Sequence, residues 1–312
     1  MGVSRHQILS IEKRLNKVQA QNFRIIADGN PPPSLAQFAE AMLGNPPDEW
    51  QADYFNNAAT QSLVAIAASR QSGKSTAAAI VASYYSLFIN EFEALIASRS
   101  LRQAGHFLSK VRSNVLSIVP PSAMRTLNRL SMELPNGSQM VSIPCAQPDA
   151  GRGFSPHLFL LDEAAFAPEE LFTAIEPSLA ATNGAQHMIS SPNGRAGQFF
   201  EAFEGRSASV YWTRRVTCEE CPRITPETLE RYRIRMGDIE FRQEFYAEFL
   251  AAEGAFFGHD SILKFEGGET QDLSLLELEK TLDDSLPEPS PTLEDLQAAF
   301  DRADRVQEVL YD

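Results

Sequence analysis

The segment Ala68-Ser69-Arg70-Gln71-Ser72-Gly73-Lys74-Ser75-Thr76 constrains this chain more than any other. It follows the apolar run 63–67 and opens a helix-like stretch, 75–88. A loop in that position presents backbone N–H groups at a helix N-terminus, where phosphate oxygens are favoured by the N–H groups and by the helix dipole. Lys74 is placed to reach the outer phosphates of a nucleoside triphosphate, and the Ser75 hydroxyl to ligate Mg²⁺. Such a loop needs a buried strand before it and a helix after it. The general pattern G-x-x-x-x-G-K-[ST] is met except at its first glycine, where Ala68 stands.

The rest of the chain supplies that context. Runs at 95–97, 158–161, 187–189 and 210–213 read as further, mostly buried strands, and 102–116 as a second helix. Strands alternating with helices predict an α/β protein, a P-loop NTPase with a mostly parallel central sheet flanked by helices. Asn136-Gly137 between two alternating runs within 132–143 signals a β-hairpin. Residues 225–235 and 239–252 read as helices closing the domain. Ahead of the loop, 5–24 has helical character and ends at the breaker Asp28-Gly29-Asn30-Pro31-Pro32-Pro33. A short helix follows at 34–43, capped by Ser34. Three parts are expected: a helical segment over 1–45, the nucleotide-binding domain over 46–262, and a helical tail over 263–312.

A second chemical signal is Asp162-Glu163, a carboxylate pair ending the apolar run 158–161. Acids often decorate helix N-termini, but a pair at the end of a fully apolar strand downstream of a phosphate loop fits hydrolysis better. Asp162 is then expected in the Mg²⁺ shell, and Glu163 as the group that orients or deprotonates the attacking water. Gln51, beside Trp50, is a candidate for reading the adenine edge. Ser190-Ser191-Pro192-Asn193 ends another strand where a γ-phosphate could be sensed. Arg152, between Gly151 and Gly153, is either an exposed finger for a neighbour's nucleotide or a plain surface arginine.

Charge separates the tail from the body. The net charge is −14, yet residues 266–312 hold 14 acidic and 3 basic side chains, a net of −11, leaving −3 for residues 1–265. Repulsion keeps such a tail off nucleic acid. Its leucine-spaced stretches, 272–282 and 293–310, carry an apolar face expected to dock on another protein. No apolar run approaches the roughly 18 residues that span a bilayer, so no membrane partner and a cytoplasmic setting are expected. Cys218 and Cys221 form a C-x-x-C pair with no second Cys/His pair to complete a zinc site, and with Cys145 they are expected as free thiols. Arg195, Arg206, Arg214, Arg215, Arg223, Arg231, Arg233 and Arg235 crowd the late domain, as a DNA track or a solvated surface.

Taken in order, Trp50-Gln51, the loop from Ser69 to Thr76, the Asn136-Gly137-Ser138 turn, Gly151-Arg152-Gly153, the strand ending in Asp162-Glu163, Ser190 to Arg195, and the stretch from Phe241 to Phe249 resemble the ATPase domain of the large terminase subunit of tailed bacteriophages. The resemblance covers about residues 35–262, and that family's loop has an Arg-Gln-x-Gly-Lys-Ser/Thr form that accounts for Ala68. It implies an ATP- and Mg²⁺-dependent motor moving double-stranded DNA into a procapsid. It also implies a homo-oligomeric ring on the portal in the host cytoplasm, with a small terminase subunit as partner. Arg70 would then contact the γ-phosphate in cis, Arg152 would act in trans, and Ser190 to Asn193 would couple hydrolysis to movement. The family continues into a nuclease domain. The carboxylates of 263–312 lie on amphipathic helices, so DNA cleavage is expected from a separate chain or from a part of the protein not contained in this sequence. A helicase-like ATPase and an assembly or regulatory ATPase are the competing classes.

Overall fold

Apolar residues on alternate positions of one strand set up the whole architecture. In β1 (Leu63–Ala68), Val64, Ile66 and Ala68 face one core, while Ala65 and Ala67 face another, so both sides of the strand are buried. A strand buried on both faces belongs in the middle of a helix-covered parallel sheet, and the computed structural model places it there. The other strands are β2 (Glu93–Ser98), β3 (Thr126–Leu127), β4 (Ser131–Glu133), β5 (Gln139–Pro144), β6 (Leu158–Asp162), β7 (Ala185–Ser190) and β8 (Trp212–Val216). They form an eight-stranded sheet in the order β3-β4-β5-β2-β6-β7-β1-β8. Pairing is parallel from β5 through β8 and antiparallel at the β3-β4-β5 edge. The structure describes residues 32–147, 151–250 and 292–311, together with Lys13 and Lys17.

One layer of helices is built from α1 (Leu35–Leu43), α2 (Glu49–Ala58), α3 (Lys74–Phe88) and α4 (Leu101–Leu116). Phe38, Trp50, Tyr54, Phe55, Ile80 and Phe107 pack there against Val64, Ile66 and Ile96 of the sheet. The opposite layer holds α5 (Glu169–Thr182) and α6 (Gly197–Glu204), whose Phe172, Ile175 and Phe199 pack on Leu95, Phe159, Leu161 and Met188. Then come α7 (Pro226–Arg235) and α8 (Asp238–Tyr246), with their own small core of Cys218, Phe241 and Phe245. Finally α9 (Leu293–Tyr311) returns to the body.

The α/β class, the strand–loop–helix unit and the hairpin stand as the sequence predicts. Ser34 caps α1 through a reciprocal box with Gln37, worth on the order of 1 kcal/mol. Four local expectations are corrected. The last strand begins at Trp212 rather than 210, because its register with β1 pairs Val64 with Trp212 and leaves Val210 61% exposed. The helix expected over 239–252 stops at Tyr246. Ala247 turns left-handed (φ 53°) and drops Phe249 among Phe199, Phe200 and Phe203. No helix is expected between residue 43 and β1, yet Trp50 and Gln51 lie in the first turn of one, α2.

The fourth correction concerns the tail. The apolar face of 293–310, expected to dock on another protein, is covered by this chain itself. Phe300, Ala303 and Val306 are buried, and α9 packs on α1 and α4. Arg302 donates to the Ser113 hydroxyl (2.6 Å) and Arg305 to the Ala41 carbonyl (2.8 Å). Clothed this way, the helix has polar and charged residues on its outer side. The expectations for 5–24 (Lys13 and Lys17 apart) and for 272–282 lie outside the described residues.

Candidate active site

The phosphate loop, the Asp162-Glu163 pair and Ser190-Ser191 gather at the C-terminal ends of β1, β6 and β7, the edge of a parallel sheet where ligands bind. After Ala68 the chain leaves β1, passes Gln71 in the left-handed region (φ 58°) and Gly73 (φ 90°), and enters α3 at Lys74. A side chain at Gly73 would be strained by that φ and would crowd Gln51, so glycine is required here. The loop is gripped from behind. The Ser69 amide donates to the Val216 carbonyl (2.9 Å), and the Arg70 amide to the Glu244 carbonyl (2.9 Å). The Ser191 hydroxyl donates to the Ala68 carbonyl (3.1 Å).

Lys74 and Ser75, the first two residues of α3, face the end of β6. The Ser75 hydroxyl donates to both oxygens of Asp162, at 3.2 and 3.3 Å. Lys74 Nζ stands 3.8 Å from Glu163 Oε1. Glu163 itself takes a left-handed conformation (φ 58°, ψ 44°) that turns the chain away from the strand. For a residue with a Cβ this costs on the order of 1–2 kcal/mol, a strain that concentrates at functional positions.

Asp162 is buried, with 8% of its surface exposed. Burial first, and the neighbouring Glu163 charge second, push its carboxyl up to about 6; Lys74, the Ser75 hydroxyl and Lys110 pull the other way. Two adjoining carboxylates with the Ser75 hydroxyl against one of them offer the oxygen ligands that suit a divalent cation. Lys110, on α4, is not among the residues the sequence singles out. Desolvation holds its ammonium below the ordinary value although the side chain as a whole stays exposed, and Asp162 opposes that shift. Its signal is spatial only, since nothing in the spacing of α4 points toward β6.

The remaining candidates divide. Ser190 and Ser191 are buried at the end of β7, between β1 and β6, with Pro192 beside them, while Asn193 is exposed. Gln51 is buried, and its Oε1 accepts from the Asp48 amide (3.0 Å) at the start of α2. That bond engages the amide oxygen, and Nε2 lies on the side of Gly73. Arg70 pairs with Glu244 (2.6 Å) and is directed outward, its side chain 69% exposed. Arg152 is exposed between two glycines, and Gly151 packs so tightly that a Cβ there would lie 2.3 Å from Ile175. Gln71 is exposed and Thr76 half-buried at the start of α3.

Most of the late arginines pair with carboxylates. Arg195 and Arg215 share Glu204, Arg206 approaches Glu201, and Arg214 bridges Asp53 and Glu220. Arg223 pairs with Asp48 and donates to the Ser72 carbonyl (2.8 Å), directly on the phosphate loop. Arg231, Arg233 and Arg235 on α7 are the members of that set with no carboxylate partner among the described residues. The three cysteines are free and buried, and Cys221 lies 3.7 Å from the Ser69 hydroxyl.

A parallel sheet with a phosphate loop after β1 and an Asp-Glu pair on β6, two strands away in the sheet, defines a P-loop NTPase. The sequence also matches the family described as terminase large subunit, T4likevirus-type, N-terminal, over residues 65–264, and the chain belongs to that family. It is 28% identical over 258 residues to the large terminase subunit of Thermus phage G20c, and 28% identical to that of Thermus virus P23-45. Each match takes in 71% of this chain and 53% of the relative, so the chain spans about half the length of the curated relatives it matches. The fold is similar to the large terminase ATPase domain of Thermus phage P74-26 (TM-score 0.59, 24% identity, 68% of this chain and 97% of that one). It is also similar to the HK97 bacteriophage large terminase (0.57, 16%, 69% and 55%). A third similar structure is the large terminase of a thermophilic bacteriophage in complex with ADP (0.51, 12%, 70% and 54%).

Proposed function

We propose that this chain binds ATP with Mg²⁺, hydrolyses it, and uses the energy to drive double-stranded viral DNA into a procapsid. The observation that carries this reading is the convergence of Lys74, Ser75, Asp162 and Glu163 at one sheet edge. The phosphates lie along the N–H groups at the start of α3, where the buried Ser72 hydroxyl has no hydrogen-bond partner among the described residues. Ser75 and Asp162 would hold the Mg²⁺, which when bound would neutralise charge on the outer phosphates. Glu163 holds the attacking water and takes its proton, and Lys74 steadies the γ-phosphate. Ser190 and Ser191, hydrogen-bonded into the same strand end, sense the change and pass it on. The ADP complex of the thermophilic-phage relative supports nucleotide binding in this fold.

The motor works as a homo-oligomeric ring on the portal, in the host cytoplasm, with the small terminase subunit as partner. The exposure of Arg152 suits an arginine given to the nucleotide of an adjacent subunit. Purified protein is expected to hydrolyse ATP faster when procapsids bearing portal and linear DNA are added, and to render that DNA resistant to nuclease. Stimulation by RNA without procapsids would favour a helicase-like ATPase instead. In mixed rings, Arg152→Ala and Glu163→Gln subunits are each expected to be inactive alone and to recover part of the turnover together. Some interfaces then join an intact Arg152 to an intact Glu163. Absence of recovery in well-mixed rings would remove Arg152 from the trans position.

A further inference from the structure

The corner formed by Asp48, Gln51, Arg223 and the loop carbonyl of Ser72 has no part in the mechanism so far. Arg223 comes from the segment after β8 and crosses to the phosphate loop, donating to the Ser72 carbonyl at 2.8 Å. Its Nη2 lies 3.5 Å from the point a Cβ on Gly73 would occupy, and Gln51 Nε2 lies 3.2 Å from the same point. These two donors flank Gly73, immediately before the N–H groups that face phosphate. The counter-charge is Asp48, the N-cap of α2, whose side chain is only 11% exposed while that of Arg223 is 50% exposed. Arg223 thus has one end of its fork anchored on the loop and a half-open guanidinium with donors to spare.

We propose that Arg223 is a direct ligand of the nucleotide's phosphates and that Asp48 holds its guanidinium in the nucleotide-free chain. Polyphosphate brings more negative charge than one carboxylate, and planar guanidinium donors suit phosphate oxygens. Binding then exchanges an Asp48 pair for a phosphate pair, and Asp48 acts as a competitor that weakens affinity. This rests on the nucleotide-binding reading above, and it separates the two partners of one ion pair by the sign of their effects.

The test is equilibrium binding of ATP, ADP and inorganic tripolyphosphate to the full chain, with folding checked by circular dichroism and thermal melting. Arg223→Ala is expected to weaken all three by roughly tenfold, the loss of one charge-assisted contact. Asp48→Asn keeps a good helix cap and is expected to tighten all three several-fold. The double variant should match Arg223→Ala alone. Weakening by both single variants would make the pair a structural brace and overturn the proposal, as would an Arg223→Ala protein that binds like wild type. A loss confined to ATP and ADP, with tripolyphosphate unaffected, would assign Arg223 to the base and also overturn it. A wild-type protein that binds none of the three sinks the nucleotide-binding reading itself, a result that no outcome for the Arg223 variant alone can mimic.

Discussion

Glu163→Gln is expected to bind ATP about as tightly as wild type and to hydrolyse it roughly a thousandfold more slowly. A general base contributes about 10²–10⁴ to a hydrolytic step. The amide keeps the size of the carboxylate and its place at the end of β6 but cannot accept the proton of the attacking water. The phosphate loop and the Ser75–Asp162 pair are left untouched, so binding survives. Lys74→Ala removes the cation 3.8 Å from Glu163 and is expected to lose binding and turnover together. Single-turnover hydrolysis alongside equilibrium binding separates these variants. Turnover of Glu163→Gln within about tenfold of wild type would take the base assignment away from this residue.

Asp162→Asn is expected to abolish Mg²⁺-dependent hydrolysis and, unlike most active-site changes, to stabilise the nucleotide-free protein near neutral pH. The Asp162 carboxyl is raised from 3.8 to about 6 by burial and by Glu163. A raised carboxyl holds its proton more tightly folded than unfolded. Its stabilising contribution is therefore fully present below the unfolded value and is lost as pH rises through about 6. Above that, the buried anion costs about 3 kcal/mol at about 1.4 kcal/mol per unit. Replacing it with an amide of the same shape relieves that cost, which corresponds to several degrees in Tm for a domain of this size. The difference between variant and wild type should be largest at pH 7–8 and shrink toward pH 4. Adding Mg²⁺ with ADP should raise the Tm of wild type much more than that of the variant. Equal melting temperatures across that pH range would show that Asp162 carries no such burden.

What the sequence reveals about this site, and what it hides, follows from the range of each interaction. The strand ending in Asp162 and the loop from Ser69 to Thr76 are legible because apolar runs and loop chemistry are written locally. The sheet then brings Ser75 and Asp162 together. The helix α2 is not legible. Its buried residues, Trp50, Gln51, Tyr54 and Phe55, sit among polar ones just after a proline pair, and no continuous apolar stripe marks them. Arg223 reads as one of a crowd of surface arginines because its partners, Asp48 and Ser72, are 175 and 151 residues away in sequence. The same distance in sequence hides Glu244 from Arg70 and Asp53 from Arg214. The amphipathic face of 293–310 is plain in its leucine spacing, but spacing does not say which surface such a helix will cover.

The return of α9 to the body has a consequence for truncation. Phe300, Ala303 and Val306 are buried where α9 settles on α1 and α4. Ending the chain ahead of Leu293 would uncover that seam. A protein shortened there would lose stability and gain an apolar patch, rather than simply shed an acidic appendage.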